Sequence, residues 1–309
     1  MKSKMQFGMS RREVLKMAAG GGAGLAGSMF GPLAKTVRAS DQYSSVVLAK
    51  GPVGYWRLGE ASGPTAADAS GNGYDGTYLG NPAFGQTGAI VNDPDTAVAF
   101  NGPDSKDYVE ISDPDSQAFS QPTSGFGLTV EVWVRPDALT FLGETNKTYI
   151  HWLGKCVYGS GQCEWGLRFY SQDDPTRPNR ISAYIWNPGG GEGAGAFFQD
   201  VLTPGQWIHV VAVYEPGDKD TDPPAGVRIY RDSVLRQGPP SSGTLYSSFG
   251  IVPAHGTLPL RLGTRDAATS GEAVNSYLTG GLDEVAIYPR VLGVDDIREN
   301  YCTGSEQCL

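Results

Sequence analysis

The chain has 309 residues and carries 24 Lys/Arg against 33 Asp/Glu, a formal net charge of −9. An acidic surface with no basic cluster to offset it repels nucleic acid and anionic lipid, which argues against nucleic acid as a partner. The 43 Gly and 21 Pro interrupt short apolar runs throughout, and no long helical period survives them.

The N-terminus is set apart by its composition. Ser10-Arg11-Arg12-Glu13-Val14-Leu15-Lys16 precedes a weakly apolar stretch, Met17 to Met29, with five Gly, and Val37-Arg38-Ala39 offers small residues to a signal peptidase. This resembles a twin-arginine export signal over residues 1–39, with Val14 where Phe or Leu is commoner. The alternative, a membrane anchor, is too short and too polar for a bilayer core of roughly 30 Å. The expectation is export to the periplasm or the extracellular space, with no membrane span in the mature chain. Residues 1–39 hold seven Lys/Arg and one Glu, so the mature chain has 17 basic and 32 acidic residues, a net −15. Such a surface favours cations, Ca²⁺ included, although solvated acidity also simply keeps an exported protein soluble.

The rest, residues 40–309, is expected to be one domain. Val53-Gly54-Tyr55-Trp56-Arg57-Leu58 alternates like an edge strand, followed by a loop, Asp68 to Gly76, dense in residues that tolerate left-handed backbone. Ala97-Val98-Ala99-Phe100 and Tyr108-Val109-Glu110-Ile111 are expected to form a hairpin around residues 101–107. Leu128 to Val134 alternates strictly, with Leu128, Val130, Val132 and Val134 on one face and Thr129, Glu131 and Trp133 on the other. Residues 149–153, 163–170 and 181–186 follow between polar turns. Gln206 to Tyr214 is nearly continuous in apolar residues, as for a strand covered on both faces. Residues 227–232 and 258–262 come next, then Leu282 to Tyr288, which Pro289 ends because it has no N–H for a ladder. Asp295 and Asp296 open a short C-terminal helix, where acidic groups complement the dipole. Many short strands separated by turns predict an all-β, two-sheet antiparallel jelly-roll sandwich rather than βαβ units.

Four cysteines form two close pairs, Cys156/Cys163 and Cys302/Cys308. In an exported chain these are expected to be two local disulfides, a hairpin staple and a tail clip. Neither spacing is CxxC and there are three His, which argues against zinc or iron–sulfur binding.

Taken in order, Tyr55–Leu58, the Asp68–Gly76 loop, Ala97–Phe100, residues 128–136, 206–214 and 227–232, Pro259-Leu260-Arg261-Leu262-Gly263 and the 281–301 tail resemble the laminin-G-like branch of the concanavalin A-like jelly rolls. The resemblance implies two stacked sheets with the first and last strands paired. It also implies a structural calcium, with Asp68 and Asp283 as carboxylate ligands and Asn72 and Asp75 as further candidates. The competing account is that Asp68 and Asn72 cap turns while Asp283 accepts from a backbone amide. Glu284, adjacent to Asp283 in a strand, is expected on the opposite face and solvated.

The same fold hosts glycosidases and polysaccharide lyases, so catalysis has to be sought at residues. Retaining glycosidases need two carboxylates about 5 Å apart, and Glu131 has no second carboxylate on its face of the strand. His209 lies on a strand without the Arg, Gln and Tyr companions that lyases of this fold cluster, and it is read as structural. Aromatic residues instead gather between Trp152 and Trp186. Trp152, Trp165, Tyr170, Tyr184 and Trp186, interleaved with Arg168, offer rings for stacking on sugars and donors for their hydroxyls, although rings of this size also fill sandwich cores. The expected function is a non-catalytic, carbohydrate- or glycoconjugate-binding domain. The alternatives are an adhesion scaffold for a cell-surface or envelope protein and a glycan-processing enzyme.

Overall fold

Strict alternation along a strand sends successive side chains to opposite faces, and in the computed structural model the alternating segments build two antiparallel sheets. The structure describes residues 39–113, 118–120, 127–143, 147–156, 163–186, 193–215, 226–236, 256–265 and 276–308. The chain divides into two units, Met1–Thr36 and Val37–Leu309. The first lies outside the described residues, and the export signal with it.

After helix α1 (Ala39–Ala49) come β1 (Gly54–Trp56), β2 (Thr65–Ala66), β3 (Gly76–Leu79), β4 (Ala83–Thr87), β5 (Thr96–Asn101), β6 (Tyr108–Ile111) and β7 (Leu128–Pro136). The chain continues through β8 (Tyr149–Lys155), β9 (Trp165–Tyr170), β10 (Arg180–Trp186), β11 (Gly193–Gln199) and β12 (Ile208–Glu215). It closes with β13 (Gly226–Arg231), β14 (Val234–Arg236), β15 (Leu260–Leu262), β16 (Thr279–Tyr288) and α2 (Val294–Ser305). The first sheet runs β14-β13-β12-β7-β16-β5-β4, with β1 beside β16; the second runs β11-β10-β9-β8-β15-β6-β3-β2. The first and last strands are therefore partners, Tyr55 opposite Ala286 and Trp56 opposite Val285.

The core between the sheets takes Val98, Phe100, Val130, Val132, Val210, Ile229, Val285 and Ile287 from the first, and Trp152, Trp165, Leu167, Phe169, Ile181 and Ile185 from the second. The outer face of the first sheet is apolar too. Tyr55, Trp133, Val211, Val213, Ala286 and Tyr288 pack there against Tyr43 and Val47 of α1 and Ile297 of α2. This is why β7 and β12 are buried on both faces. Glu131 gathers the polar groups of that layer: His209 Nε2 lies 2.7 Å from Glu131 Oε1, while Tyr288 Oη and Asn300 Nδ2 each donate to Glu131 Oε2 at 2.8 Å. His209 is a structural residue of this layer.

Two expectations need correcting. Residues 97–100 and 108–111 do not form a hairpin: β5 pairs with β16 and β4 in the first sheet, and β6 with β15 and β3 in the second. Buried Asp107 holds the crossing chain, accepting from the backbone N–H groups of Asn81 (2.6 Å) and Asn101 (3.0 Å) and from the Ser105 hydroxyl (2.6 Å). Glu284, in turn, is neither solvated nor opposite Asp283. The register between β16 and β7 breaks between Asp283 and Ala286, and Glu284 has φ 51°. This bulge adds one residue between Leu282 and Val285, both in the core, so Asp283 and Glu284 both turn away from it.

The Cys156–Cys163 disulfide closes the β8–β9 hairpin and Cys302–Cys308 clips the tail. Among the described residues no helix is long and apolar enough to cross a membrane.

Candidate functional site

Strands β8, β9 and β10 send Ile150, Leu167, Phe169, Ile181, Ala183 and Ile185 into the core. By the same alternation they turn Tyr149, His151, Arg168, Tyr170, Tyr184 and Trp186 to the opposite face of the second sheet. Register brings these together, because Tyr149 faces Tyr170, and His151 and Ser182 both face Arg168.

Arg168 is the centre of the cluster. Its guanidinium carbon lies 4.4 Å from the ring centre of Tyr149 and 4.3 Å from that of Tyr184. Its Nε donates to His151 Nε2 at 2.9 Å, and its Nη1 to the hydroxyls of Tyr170 (2.9 Å) and Tyr184 (3.2 Å). Arg265 also approaches His151 Nε2, at 3.1 Å. Two guanidinium donors on one ring nitrogen make it an acceptor, which fixes the neutral imidazole with its proton on Nδ1. Burial, then the Arg265 and Arg168 charges, push His151 well below its ordinary value. Burial alone would push the Tyr170 hydroxyl up, but Arg168, the Tyr184 hydrogen bond and Arg177 more than offset it and leave it lowered. Tyr184 and Trp186 stack, with ring centres 5.8 Å apart and planes 18° from parallel, and both are half-buried.

The aromatic residues singled out from sequence thus separate into two sets. Trp152 and Trp165 are 1% and 0% exposed and belong to the core, out of reach of a ligand in solvent. Trp152 arrives there because the β8–β9 register slips between His151 and Leu153, so that both Trp152 and Leu153 turn inward. Arg168, Tyr170, Tyr184 and Trp186 share the outer face, where Tyr170 is covered, at 1% exposure. Sequence reading missed His151 and Tyr149 as members of this face. The signal was present, since Tyr149-Ile150-His151 alternates polar, apolar, polar, but the Trp that follows it obscured the period.

The residues suggested for calcium are engaged in hydrogen bonds, except that Asp283 Oδ1 is buried without a hydrogen-bond partner. Asp68 Oδ1 accepts from the backbone N–H groups of Tyr55 (3.0 Å) and Ser70 (2.9 Å), and Oδ2 from the Ser70 hydroxyl (2.8 Å) and the Tyr74 N–H (3.0 Å). Burial works against the charged carboxylate, but these bonds outweigh it and hold Asp68 below its usual range. Asn72 Nδ2 donates to the Val53 carbonyl at 3.0 Å, and Asp75 Oδ1 accepts from the Asp68 N–H at 2.8 Å. Asp283 Oδ2 accepts from the Ala89 N–H at 2.7 Å. A carboxylate whose lone pairs all face N–H and O–H donors has none for a cation, so Asp68 does not fit a calcium cage as it stands. Among the described residues no group of three or more His, Cys, Asp or Glu is placed to hold a metal ion.

Beside the bulge, Glu284 accepts from Arg57 Nε (2.9 Å) and Nη2 (2.8 Å) and from the Tyr55 hydroxyl, while Arg57 also reaches Asp93 at 3.0 Å. Burial pushes the Glu284 carboxyl up to about 7 despite Arg57, and pushes Asp283 well above its ordinary value.

Two antiparallel sheets with a packed interior, helices over one sheet and a polar aromatic face on the other define a jelly-roll sandwich domain. The laminin-G family model described as the concanavalin A-like lectin/glucanases superfamily matches residues 103–298, and the chain belongs to this family. Among solved structures, it is similar to the receptor-binding domain of botulinum neurotoxin type G (12% identity, 81% of this chain and 50% of that chain, TM-score 0.51). It is also similar to the binding domain of botulinum neurotoxin DC in complex with SialylT (10% identity, 82% and 52%, TM-score 0.53). A third similar structure is domain 4 of AbnA, a GH43 extracellular arabinanase from Geobacillus stearothermophilus, in complex with arabinotriose (16% identity, 81% and 98%, TM-score 0.49). The aligned part spans about half the length of the toxin structures, and the likeness to those two shows the fold. No curated protein matches the chain.

Proposed function

We propose that this is an exported, non-catalytic domain that binds carbohydrate or a glycoconjugate on the outer face of its second sheet. The observation that supports this reading is Arg168, held between the rings of Tyr149 and Tyr184 beside the half-buried Tyr184–Trp186 stack. Ring faces provide apolar surface for the C–H side of a pyranose, and guanidinium and phenol groups exchange hydrogen bonds with its hydroxyls. The pair of disulfides supports export, because such bonds persist in oxidising compartments.

A glycan-processing reading draws on the same cluster, since His, Arg and Tyr meet there. It is the weaker of the two. The His151 Nε2 lone pair is taken up by two arginines and the ring is 1% exposed, and Tyr170 is equally covered, so neither group stands ready to exchange a proton with a substrate.

A glycan array probed with the protein and with Trp186→Ala is the test. Binding to defined glycans that the variant loses, with its melting temperature kept, supports the reading. A blank array together with specific capture of an envelope protein would replace it with the scaffold alternative, and polysaccharide turnover that survives repurification would replace it with the enzyme.

A further inference from the structure

Lys155, Asp113 and Glu164 meet in the interior at one end of the second sheet, and none of the three has a role in the face around Arg168. All three side chains are fully buried. Lys155 Nζ lies 2.9 Å from Glu164 Oε1 and 3.4 Å from Asp113 Oδ2, and donates to the Gly256 carbonyl at 2.7 Å. Phe119 and Trp165, each 0% exposed, pack beside them, and Trp165 Nε1 donates to the Phe119 carbonyl at 2.8 Å.

We propose that Lys155 and Asp113 become joined by an intramolecular isopeptide bond, formed in the folded protein with Glu164 carrying the protons.

One ammonium facing two carboxylates would leave an excess negative charge away from water, a state that burial strongly disfavours. Condensation relieves it, because an ammonium and a carboxylate give way to a neutral amide and water. Burial pushes Glu164 up despite the Lys155 charge, so it can hold a proton and return it. Asp113 is held in place by two backbone amides: Oδ1 accepts from the Ala118 N–H at 2.9 Å and Oδ2 from the Phe119 N–H at 3.2 Å. These amides would stabilise the charge that develops on oxygen as the tetrahedral centre forms. Lys155 Nζ attacks Asp113 Cγ, the C–N bond forms, and the Cγ–Oδ2 bond breaks. Counted from the ammonium and the carboxylate, nitrogen gives up two protons, relayed through Glu164 to Oδ2, and that oxygen leaves as water. No oxidant, reductant or co-reactant is required.

The chain geometry holds the partners at close range. Glu164 and Lys155 are neighbours across the β8–β9 hairpin, with the Glu164 N–H donating to the Lys155 carbonyl at 3.0 Å, and the Cys156–Cys163 disulfide closes that hairpin one residue beyond each. Asp113 follows β6. The bond would therefore tie β6 to β8 across β15, which lies between them.

Peptide mapping by mass spectrometry of the reduced, alkylated and trypsin-digested protein tests this. The expected result is a branched peptide in which trypsin has left Lys155 uncleaved and which is lighter by one water than its two linear components. Recovery of Asp113 and Lys155 in separate linear peptides, with cleavage after Lys155, overturns the proposal. Glu164→Gln should restore the linear peptides; a fully cross-linked variant would overturn the part assigned to Glu164. Should that variant not fold, the digest of the unaltered protein decides by itself.

Discussion

Glu131, on the central strand β7, accepts a 2.8 Å hydrogen bond from Asn300 of the C-terminal helix, and both side chains are fully buried. Through the same carboxylate run the bonds from Tyr288 and His209, so one acidic group joins three strands and the helix that covers them.

Glu131→Ala would leave the Tyr288 hydroxyl and the Asn300 amide buried without their acceptor, and His209 without its partner. Removing one member of a buried charged cluster costs about 3–5 kcal/mol. Urea denaturation should show a loss of that order with binding at the Arg168 face unchanged in whatever protein remains folded. A loss under about 1 kcal/mol would place the cluster among ordinary surface pairs.

The bulge at Asp283 and Glu284 makes stability depend on pH. Burial raises the folded-state value of Glu284 from 4.5 to about 7, against the pull of Arg57. A group whose value is raised by folding stabilises fully below its unfolded value, and that contribution is lost as the pH rises through the folded one. Asp283, pushed up by burial and by Glu284, acts in the same direction. Melting temperature should therefore fall as the pH rises from about 4.5 to above about 7, and Glu284→Gln should flatten the curve. A melting temperature that rises over this range would contradict the assignment.

The two tryptophan environments give opposite mutational signatures. Trp165→Ala removes a fully buried ring from between the sheets and should cost about 3–5 kcal/mol in unfolding experiments. Trp186→Ala touches a half-buried ring on the outer face and should leave thermal stability nearly unchanged while abolishing glycan binding.

Calcium is tested by chelation. Asp68 already satisfies four donors, and the expected melting temperature is the same in chelator and in added calcium. A ligand that binds only the folded state must stabilise it. A rise with calcium that Asp68→Asn abolishes would show that the loop rearranges to take the ion. Asp68→Ala should destabilise in either condition, since it strips acceptors from the Tyr55, Ser70 and Tyr74 amides.

Much of this protein was legible from its residues alone. Period-two alternation at Leu128 to Val134 located the central strand, the apolar run from Ile208 to Tyr214 announced burial on both faces, and close cysteine spacing announced two local disulfides. The pairing of Tyr55 with the closing strand followed from the family resemblance. These features are local, or repeat at a fixed period, and therefore survive in a linear string. Tertiary structure decided what depends on neighbours distant in sequence. Residues 108–111 join the second sheet while 97–100 join the first, with Asp107 bonded to the chain that crosses between them, and Trp152 is turned inward by a register slip that the linear string does not show. Likewise, only the bulge turned Glu284 towards Arg57, and only the fold brought Lys155 to Asp113, because side-chain direction at a bulge and contact across a strand are properties of packing that no sequence spacing encodes.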